Sequence, residues 1–547
     1  MNHKTEIQNF FKGEVLDDEN TLTTYSIDTS LLKVRPKLVV FPKDTEDIKN
    51  LVLYVREHKK EDPTLSITPR AAGSDMSGGP LNESIILDVT KHIFGTPAIN
   101  ATNKTVQVLP GTFYRDFEKE TLKHDLILPC YPASKNLCAI GGMIGNNCAG
   151  EKTLIYGKME DYIESLKVVF ADGNEYEVKP LSREELRQKM NQGDFEGEVY
   201  KKIHDLIETN KEKIMAAKPK VKKNSSGLYL WNVWDRDKFN LCKLIVGSQG
   251  TLGIVTEATL RLVPVKKHSL LYVIFLKDLK PVASLVNELL KFEPESIESY
   301  DDHTLKLAIR FLPGIWKSMK GKNFFKFIWS FLPEARMVLT GGFPKLVMLA
   351  EFAGNDPHHI DETLKKVDTA IKKFHLKTHI TRSATETSKY WTIRRESFNL
   401  LRKHIHGKRT APFIDDVVVN PEHLPEFWPK LMKLLDEYKL IYTVAGHAGS
   451  GNFHVIPLMD MRKEENHKIV IELSEKVYDL VLEYGGSITA EHNDGIIRTP
   501  YLKKMFGEHI LGLFQETNLI FDPLDIFNPG KKGAQTSKYL SQHLVYS

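Results

Sequence analysis

At 547 residues the chain is too long for one core, and its 41% hydrophobic and 27% charged content is that of an ordinary globular protein of two or three domains. A net charge of +4 makes no demand for nucleic acid, and no apolar run nears the ~20 residues of a membrane-spanning helix. The four cysteines (Cys130, Cys138, Cys148, Cys242) lack CxxC or iron–sulfur spacing, and MNHKTEIQNFFKGEV lacks a signal peptide's apolar stretch, so the expectation is a cytoplasmic protein with reduced thiols.

Residues 1–34 are polar and read as a lead-in. Leu38 to Phe41 reads as a strand, followed by Asp44 as cap of a helix over Thr45 to His58, with Ile48, Leu51, Val52 and Val55 at helical spacing. A strand at Leu65 to Thr68 runs into the loop PRAAGSDMSGG (Pro69 to Gly79), and Ile85 to Val89 and Thr105 to Leu109 read as further strands. Leu166 to Ala171 and Asn174 to Val178 flank an Asp-Gly hairpin turn. Ser182 to Lys223 reads as helical and charged, its lysine run Lys211 to Lys223 as a solvated face. The texture changes near residue 265, where long amphipathic helices and isolated strands begin, marking a domain boundary. Lysines recur at Lys317 to Lys326 inside the aromatic stretch Ile309 to Leu332. That stretch fits either a docking or peripheral membrane-surface element on the inner face, or a helix packed with its lysines solvated.

Three loops carry unusual chemistry. PRAAGSDMSGG, PASKNLCAIGGMIGNNCAG (Pro132 to Gly150) and VGSQGTLGIVTEA (Val246 to Ala258) have neither GxGxxG nor a P-loop lysine. Their small residues let backbone N–H groups approach an anion, so together they suggest a large ligand with phosphates and a flat ring. Near the C-terminus, GHAGSGNFH (Gly446 to His454) reads as a hairpin, with Tyr442 to Ala445 and Phe453 to Leu458 as strands, that brings His447 near His454. GGSITAEHNDG (Gly485 to Gly495) reads as a strand ending at Glu491 and His492, with Asn493-Asp494-Gly495 as the loop. Two imidazoles and a carboxylate are a normal open ligand set for a divalent metal, leaving His492 as a general base, although histidines in turns also serve purely structural ends.

In this order, the loops resemble the FAD-binding domain of vanillyl-alcohol-oxidase-like (PCMH-type) flavoproteins, and most closely the D-lactate, glycolate and D-2-hydroxyglutarate dehydrogenase branch. The resemblance runs from Pro36 to Lys532, through GHAGSGNFH, GGSITAEHNDG and FDPLDIFNPGKK. It implies an α+β fold: a two-part FAD-binding domain over 35–265, an antiparallel α+β substrate (cap) domain over 266–500, and a segment 501–547 returning to the first domain. It implies that Arg70, Ala71, Ala72, Gly73, Ser74 and Asp75 hold the FAD pyrophosphate and ribityl chain. Pro132, Ser134, Gly141, Gly142, Asn146, Asn147 and Gly150 share that task, with Gly253 and Ile254 on the adenine side and Asn528 near the ring. Ser74 stands where covalent members carry histidine, implying non-covalent FAD. His447, His454 and Glu491 match metal ligands, typically of zinc; His492 matches the base and Arg394 the clamp on the substrate carboxylate. Two positions depart from the family pattern, Ser450 replacing an aspartate and Asn493 a glycine, though Asn tolerates a left-handed backbone. The expected activity is oxidation of a small 2-hydroxy acid to the 2-oxo acid, with electrons leaving to a separate iron–sulfur protein or quinone. An alkyl-glycerone-phosphate synthase-like transferase and a non-catalytic flavin subunit of a larger oxidase are the alternatives.

Overall fold

The computed structural model describes residues 2–310, 342–383, 386–395, 408–533 and 535–544. From residue 311 onward the stretch Ile309 to Leu332, with the lysines Lys317 to Lys326, lies outside the described residues. Among those described, no helix is long and apolar enough to cross a membrane.

Leu38–Phe41 is buried at every position, so both of its faces must be covered. It pairs in parallel with Ile85–Asp88, which pairs in parallel with Ile67–Arg70. On one face Leu38 and Val40 pack on Ile48, Leu51, Val52 and Val55 of the helix Thr45–His58, which Asp44 caps through the Asp47 amide. On the other face, Val39 and Phe41 meet Leu22. That cover comes from the lead-in. Although polar overall, it buries Ile7, Phe11 and Val15, adds Glu14–Leu16 as an antiparallel edge strand, and lays the helix Glu19–Tyr25 over the sheet.

An antiparallel five-stranded sheet follows, in the order Ala98–Asn100, Thr105–Val108, Ile254–Arg261, Ile163–Val169, Glu175–Val178. The Asp-Gly turn joins its last two strands, with Gly173 at φ +83°. From His268 a separate antiparallel sheet begins, in which His268–Leu276, Leu346–Gly354, Ser296–Asp301, Ile441–His447 and Asn452–Met459 are successive neighbours. Its strands alternate: Tyr272, Ile274 and Leu276 face the helices Val282–Leu290 and Pro357–Ile371, while Leu271, Val273 and Phe275 face Tyr390 and Trp391. The α+β architecture with an antiparallel second sheet matches the sequence reading. The C-terminal segment packs on the first sheet: Phe527 bridges to Ile67 in parallel and the Asn528 amide donates to the Ile67 carbonyl at 2.9 Å.

Two readings need correction. Gly485 to Ala490 does not form a strand; beyond a single bridge from Ser487 to Val418, its polar groups bond to side chains and loops. Lys223, placed on a solvated face, is fully buried, while Lys213, Lys218, Lys220 and Lys222 of the same run are exposed.

The hairpin Ile441–His447/Asn452–Met459 turns through Ala448–Ser450 and closes at Gly451, φ +69°. A Cβ on Gly451 would lie 1.8 Å from the Val419 carbonyl oxygen. Gly485 has a similar φ, +64°, with nothing within 4 Å of such a Cβ. Gly485→Ala should therefore cost only the left-handed backbone penalty, about 1–2 kcal/mol. Gly451→Ala adds a clash with rigid backbone, and its apparent melting temperature should fall several degrees further, as differential scanning fluorimetry of the pair will measure.

Candidate active site

The three glycine-rich loops converge on one cavity of about 570 Å³. Arg70, Ala71, Ala72, Gly73, Ser74, Asp75, Pro132, Ser134, Gly141, Gly142, Asn146, Gly253 and Ile254 line it, as do Arg394, His454, Glu491 and His492 at its far end. Thr29 of the lead-in also reaches the wall, which composition alone did not indicate.

Side-chain amides stitch the loops together. Asp75 accepts from the Ser77 and Gly79 amides at 2.9 and 2.8 Å and from Asn146 Nδ2 at 2.8 Å. Asn146 in turn accepts from Gln249 Nε2 at 3.3 Å, so one chain of bonds runs through all three loops. Arg70 works from behind: its guanidinium donates to the Tyr25 and Ile27 carbonyls, anchoring the lead-in. Asn147, Gly150 and Asn528 do not line the cavity. Asn147 ends the helix Ile140–Asn146 in a left-handed conformation, and its Oδ1 accepts from the Glu160 amide. Gly150 is pressed against the Tyr131 carbonyl, 2.1 Å from where its Cβ would be. Asn528, expected beside a ring, is fully buried: its Nδ2 donates to the Gly79 and Gln249 carbonyls while its Oδ1 accepts from Thr68.

The second motif is shaped by two acids that the sequence reading missed. Asp416 Oδ2 accepts from the Thr489 hydroxyl and from the amides of Ala490, Glu491 and His492 at 2.6 to 2.8 Å. Burial opposes its ionisation, yet His492 and His454 hold its carboxyl down at about 2. Asp415 accepts from His492 Nδ1 at 2.8 Å and from Arg498, and its carbonyl accepts from His454 Nδ1 at 2.9 Å. The available signal was FIDDVVV (Phe413 to Val419), where two acids interrupt an apolar run; buried acids need partners.

At the far end, His447, His454 and Glu491 each offer a ligand atom, all within 4.8 Å of one another. His454 and His492 stack with centroids 5.2 Å apart. Burial and the neighbouring imidazoles depress His454 to about 4, and since its Nδ1–H is held by a carbonyl, Nε2 keeps its lone pair toward the site. His447 donates from Nδ1 to Glu298 at 2.6 Å, and its Nε2 lies 3.2 Å from Glu491. Burial works against its charge, but Glu298 and Glu491 raise it. Glu298 also accepts from Arg394 Nε at 3.2 Å. Lys223 Nζ sits 2.5 Å from Glu491 Oε1, so that despite burial His447 and Lys223 hold Glu491 well below the usual carboxylate range. Glu298, in SIESYD, and Lys223 were missed because their partners lie 149 and 268 residues away.

These residues fit both groups that the sequence resemblance implies. A Cβ on Gly145 would find nothing nearer than 3.9 Å, and one on Gly142 nothing nearer than 3.5 Å, so the absence of side chains there leaves room along the cavity wall. In the candidate metal set of His447, His454 and Glu491, the outer nitrogens of both imidazoles are already hydrogen-bonded, the kind of second layer that supports such ligands.

Residues 36–179 match the FAD binding domain, and residues 265–532 match the C-terminal domain of FAD linked oxidases. The chain belongs to the FAD-linked oxidoreductases of the PCMH-type fold. Among curated relatives of this flavoprotein is the D-2-hydroxyglutarate dehydrogenase of Pseudomonas putida, 28% identical over 95% of the chain and 50% of the relative. Others are the glycolate oxidase subunit GlcD of Bacillus subtilis (26%; 96% and 95%) and the D-lactate dehydrogenase of Archaeoglobus fulgidus (24%; 90% and 90%). The flavoprotein thus spans about half the length of the D-2-hydroxyglutarate dehydrogenases it matches. Its fold is shared by 4-ethylphenol oxidase from Gulosibacter chungangensis (TM-score 0.68, 14% identity, 98% of this chain and 97% of that one). It is shared also by alkyldihydroxyacetonephosphate synthase (0.66, 16%, 96% and 84%).

Asn493, standing where the family pattern has glycine, has φ +65° and donates from Nδ2 to the Gly247 carbonyl at 2.9 Å. Asn493→Gly keeps the backbone geometry but loses the side-chain bonds to the Gly247 and Asn146 carbonyls and the acceptor for the Asp494 amide, a cost of about 1–3 kcal/mol. Asn493→Ala loses the same bonds and adds left-handed strain, so its melting temperature and its FAD retention should both fall below those of the glycine variant, read by thermal shift and 450 nm absorbance.

Proposed function

We propose that the protein is an FAD-dependent dehydrogenase that oxidises a small 2-hydroxy acid, of the D-lactate, glycolate or D-2-hydroxyglutarate kind, to the 2-oxo acid. One observation carries the reading: an arginine, a metal-ligand set and a histidine held by two acids meet at the same end of a loop-walled cavity. The relatives' names agree with it.

FAD, bound without a covalent link, supplies a two-electron acceptor. His447, His454 and Glu491 would hold a divalent cation, a set that suits zinc, whose charge polarises the substrate hydroxyl. Arg394, beside Glu298, offers its guanidinium to the substrate carboxylate and so fixes which face of the α-carbon is presented. Asp415 engages His492 Nδ1, leaving Nε2 to exchange a proton with the hydroxyl. Burial notwithstanding, Asp416 and Asp415 raise His492 to about 10. Positive charge gathered at the adjacent ligand set lowers that value and readies the imidazole to accept. As the C–H bond breaks, its electron pair leaves with the hydrogen, and the hydroxyl proton goes to His492; the atoms balance as a 2-oxo acid. The displaced electrons pass to a separate acceptor, and a cytoplasmic location suits such an exchange.

Anaerobic addition of D-lactate, glycolate or D-2-hydroxyglutarate should bleach the 450 nm band of the purified protein. In His492→Ala the yellow colour should remain while bleaching slows by at least ~100-fold. A colourless protein, or one that none of the three acids bleaches, would sink the reading. Dialysis against a strong chelator should likewise slow bleaching, with recovery on adding zinc.

A further inference from the structure

Buried carboxylates crowd the end of the cavity, and four of them have a buried cationic partner. Glu491 meets Lys223 at 2.5 Å, Glu298 meets Arg394 at 3.2 Å, Asp494 meets Lys532 at 2.7 Å, and Asp415 meets Arg498. Asp416 is satisfied instead by a fan of N–H and O–H donors. Of these partners, Lys223 alone is paired with one of the metal ligands proposed above. It is fully buried, and besides Glu491 its ammonium donates to the Gly150 carbonyl at 3.1 Å, in the second glycine loop.

The stretch that carries Lys223 is fastened to the catalytic segment on every side. The Ser225 amide donates to the Thr489 carbonyl, and its hydroxyl accepts from the Asn493 amide. Ser226 and the Gly227 amide both donate to Asp494, and Ser487 donates to Asn224. The backbone that carries Lys223 therefore cannot shift away from the Glu491 segment without breaking this zipper. Its ammonium touches Oε1, which also faces His447, while Oε2 lies 3.9 Å from His454 Nε2.

We propose that Lys223 is a positioning residue of the metal site: by neutralising Glu491 it leaves a cation held there with its charge uncancelled by its own ligand. The inference rests on the metal reading above. With both imidazoles neutral, as binding an ion requires, one carboxylate and one ammonium sum to no net charge, so the ligands do not cancel the charge that the ion directs at the substrate oxygen. A divalent ion in such a site is bound less tightly than in one with an unopposed carboxylate, and it is a stronger Lewis acid.

The test uses the purified flavoprotein. Zn²⁺ affinity is measured by chelator competition for wild type, Lys223→Met (similar length, no charge) and Lys223→Gln (a hydrogen-bond donor without charge). Both variants should bind Zn²⁺ at least about tenfold more tightly, because a like charge has been removed from beside the ion. At saturating Zn²⁺ both should have lower kcat with the 450 nm flavin band intact. A residue that only supports the fold would weaken metal binding and activity together. Unchanged or weaker Zn²⁺ binding in the variants overturns the inference, as does Lys223→Gln behaving like wild type, since the hydrogen bond would then be what matters. Loss of flavin from both variants also overturns it, making Lys223 a residue of the fold. Wild type that binds no stoichiometric Zn²⁺ would instead remove the metal reading itself.

Discussion

The far end of the cavity depends on one carboxylate. Asp416 Oδ2 gathers the Thr489 hydroxyl and three successive amides, which forces the chain at Glu491 and His492 into a tight curl instead of an extended strand. In a strand these neighbours would point to opposite faces; curled around one oxygen, both reach the same cavity. Burying a carboxylate is costly unless its oxygens are satisfied, and here nearly the whole turn serves that end. Asp415 completes the arrangement by orienting His492, engaging Arg498 and offering its carbonyl to His454.

The parts of this site that could be read from the sequence are those whose chemistry is local. Loops dense in glycine and alanine let backbone approach a ligand closely, and a Gly-rich turn between two strands brings His447 near His454, their ring centroids 5.2 Å apart. The parts that could not be read depend on distant partners. A lysine at the end of a basic run looks solvated until its carboxylate, 268 residues on, is known. Asp415 and Asp416 could have been flagged in FIDDVVV, but their donors could not. Asn528 lay in a motif associated with the ring, yet its amide spans two loops that converge only in the folded chain. The packing role of the lead-in is hidden in the sequence for another reason. Its composition is polar, but LVVF needs cover on both faces, and only the neighbouring polar segment supplies the second.

The amide stitches also account for the departure at Asn493. Glycine would meet the backbone requirement at φ +65° but would leave the Gly247 carbonyl without this donor. Here the side chain ties the turn after His492 to the third glycine loop, as Gln249 does through the Gly495 amide. The glycine-rich loops and the turn after His492 thus form one hydrogen-bonded body, and a change in either is felt by the other.

The clasp made by Asn528 has a consequence for how the protein is born. Its amide closes on Gly79, 449 residues earlier. At ribosomal speeds of about 5–20 residues per second, the first glycine loop emerges roughly 20 to 90 s before the residue that secures it. During that interval the nascent chain carries an unfinished dinucleotide cradle, so durable capture of the cofactor waits until the segment around Asn528 has been made.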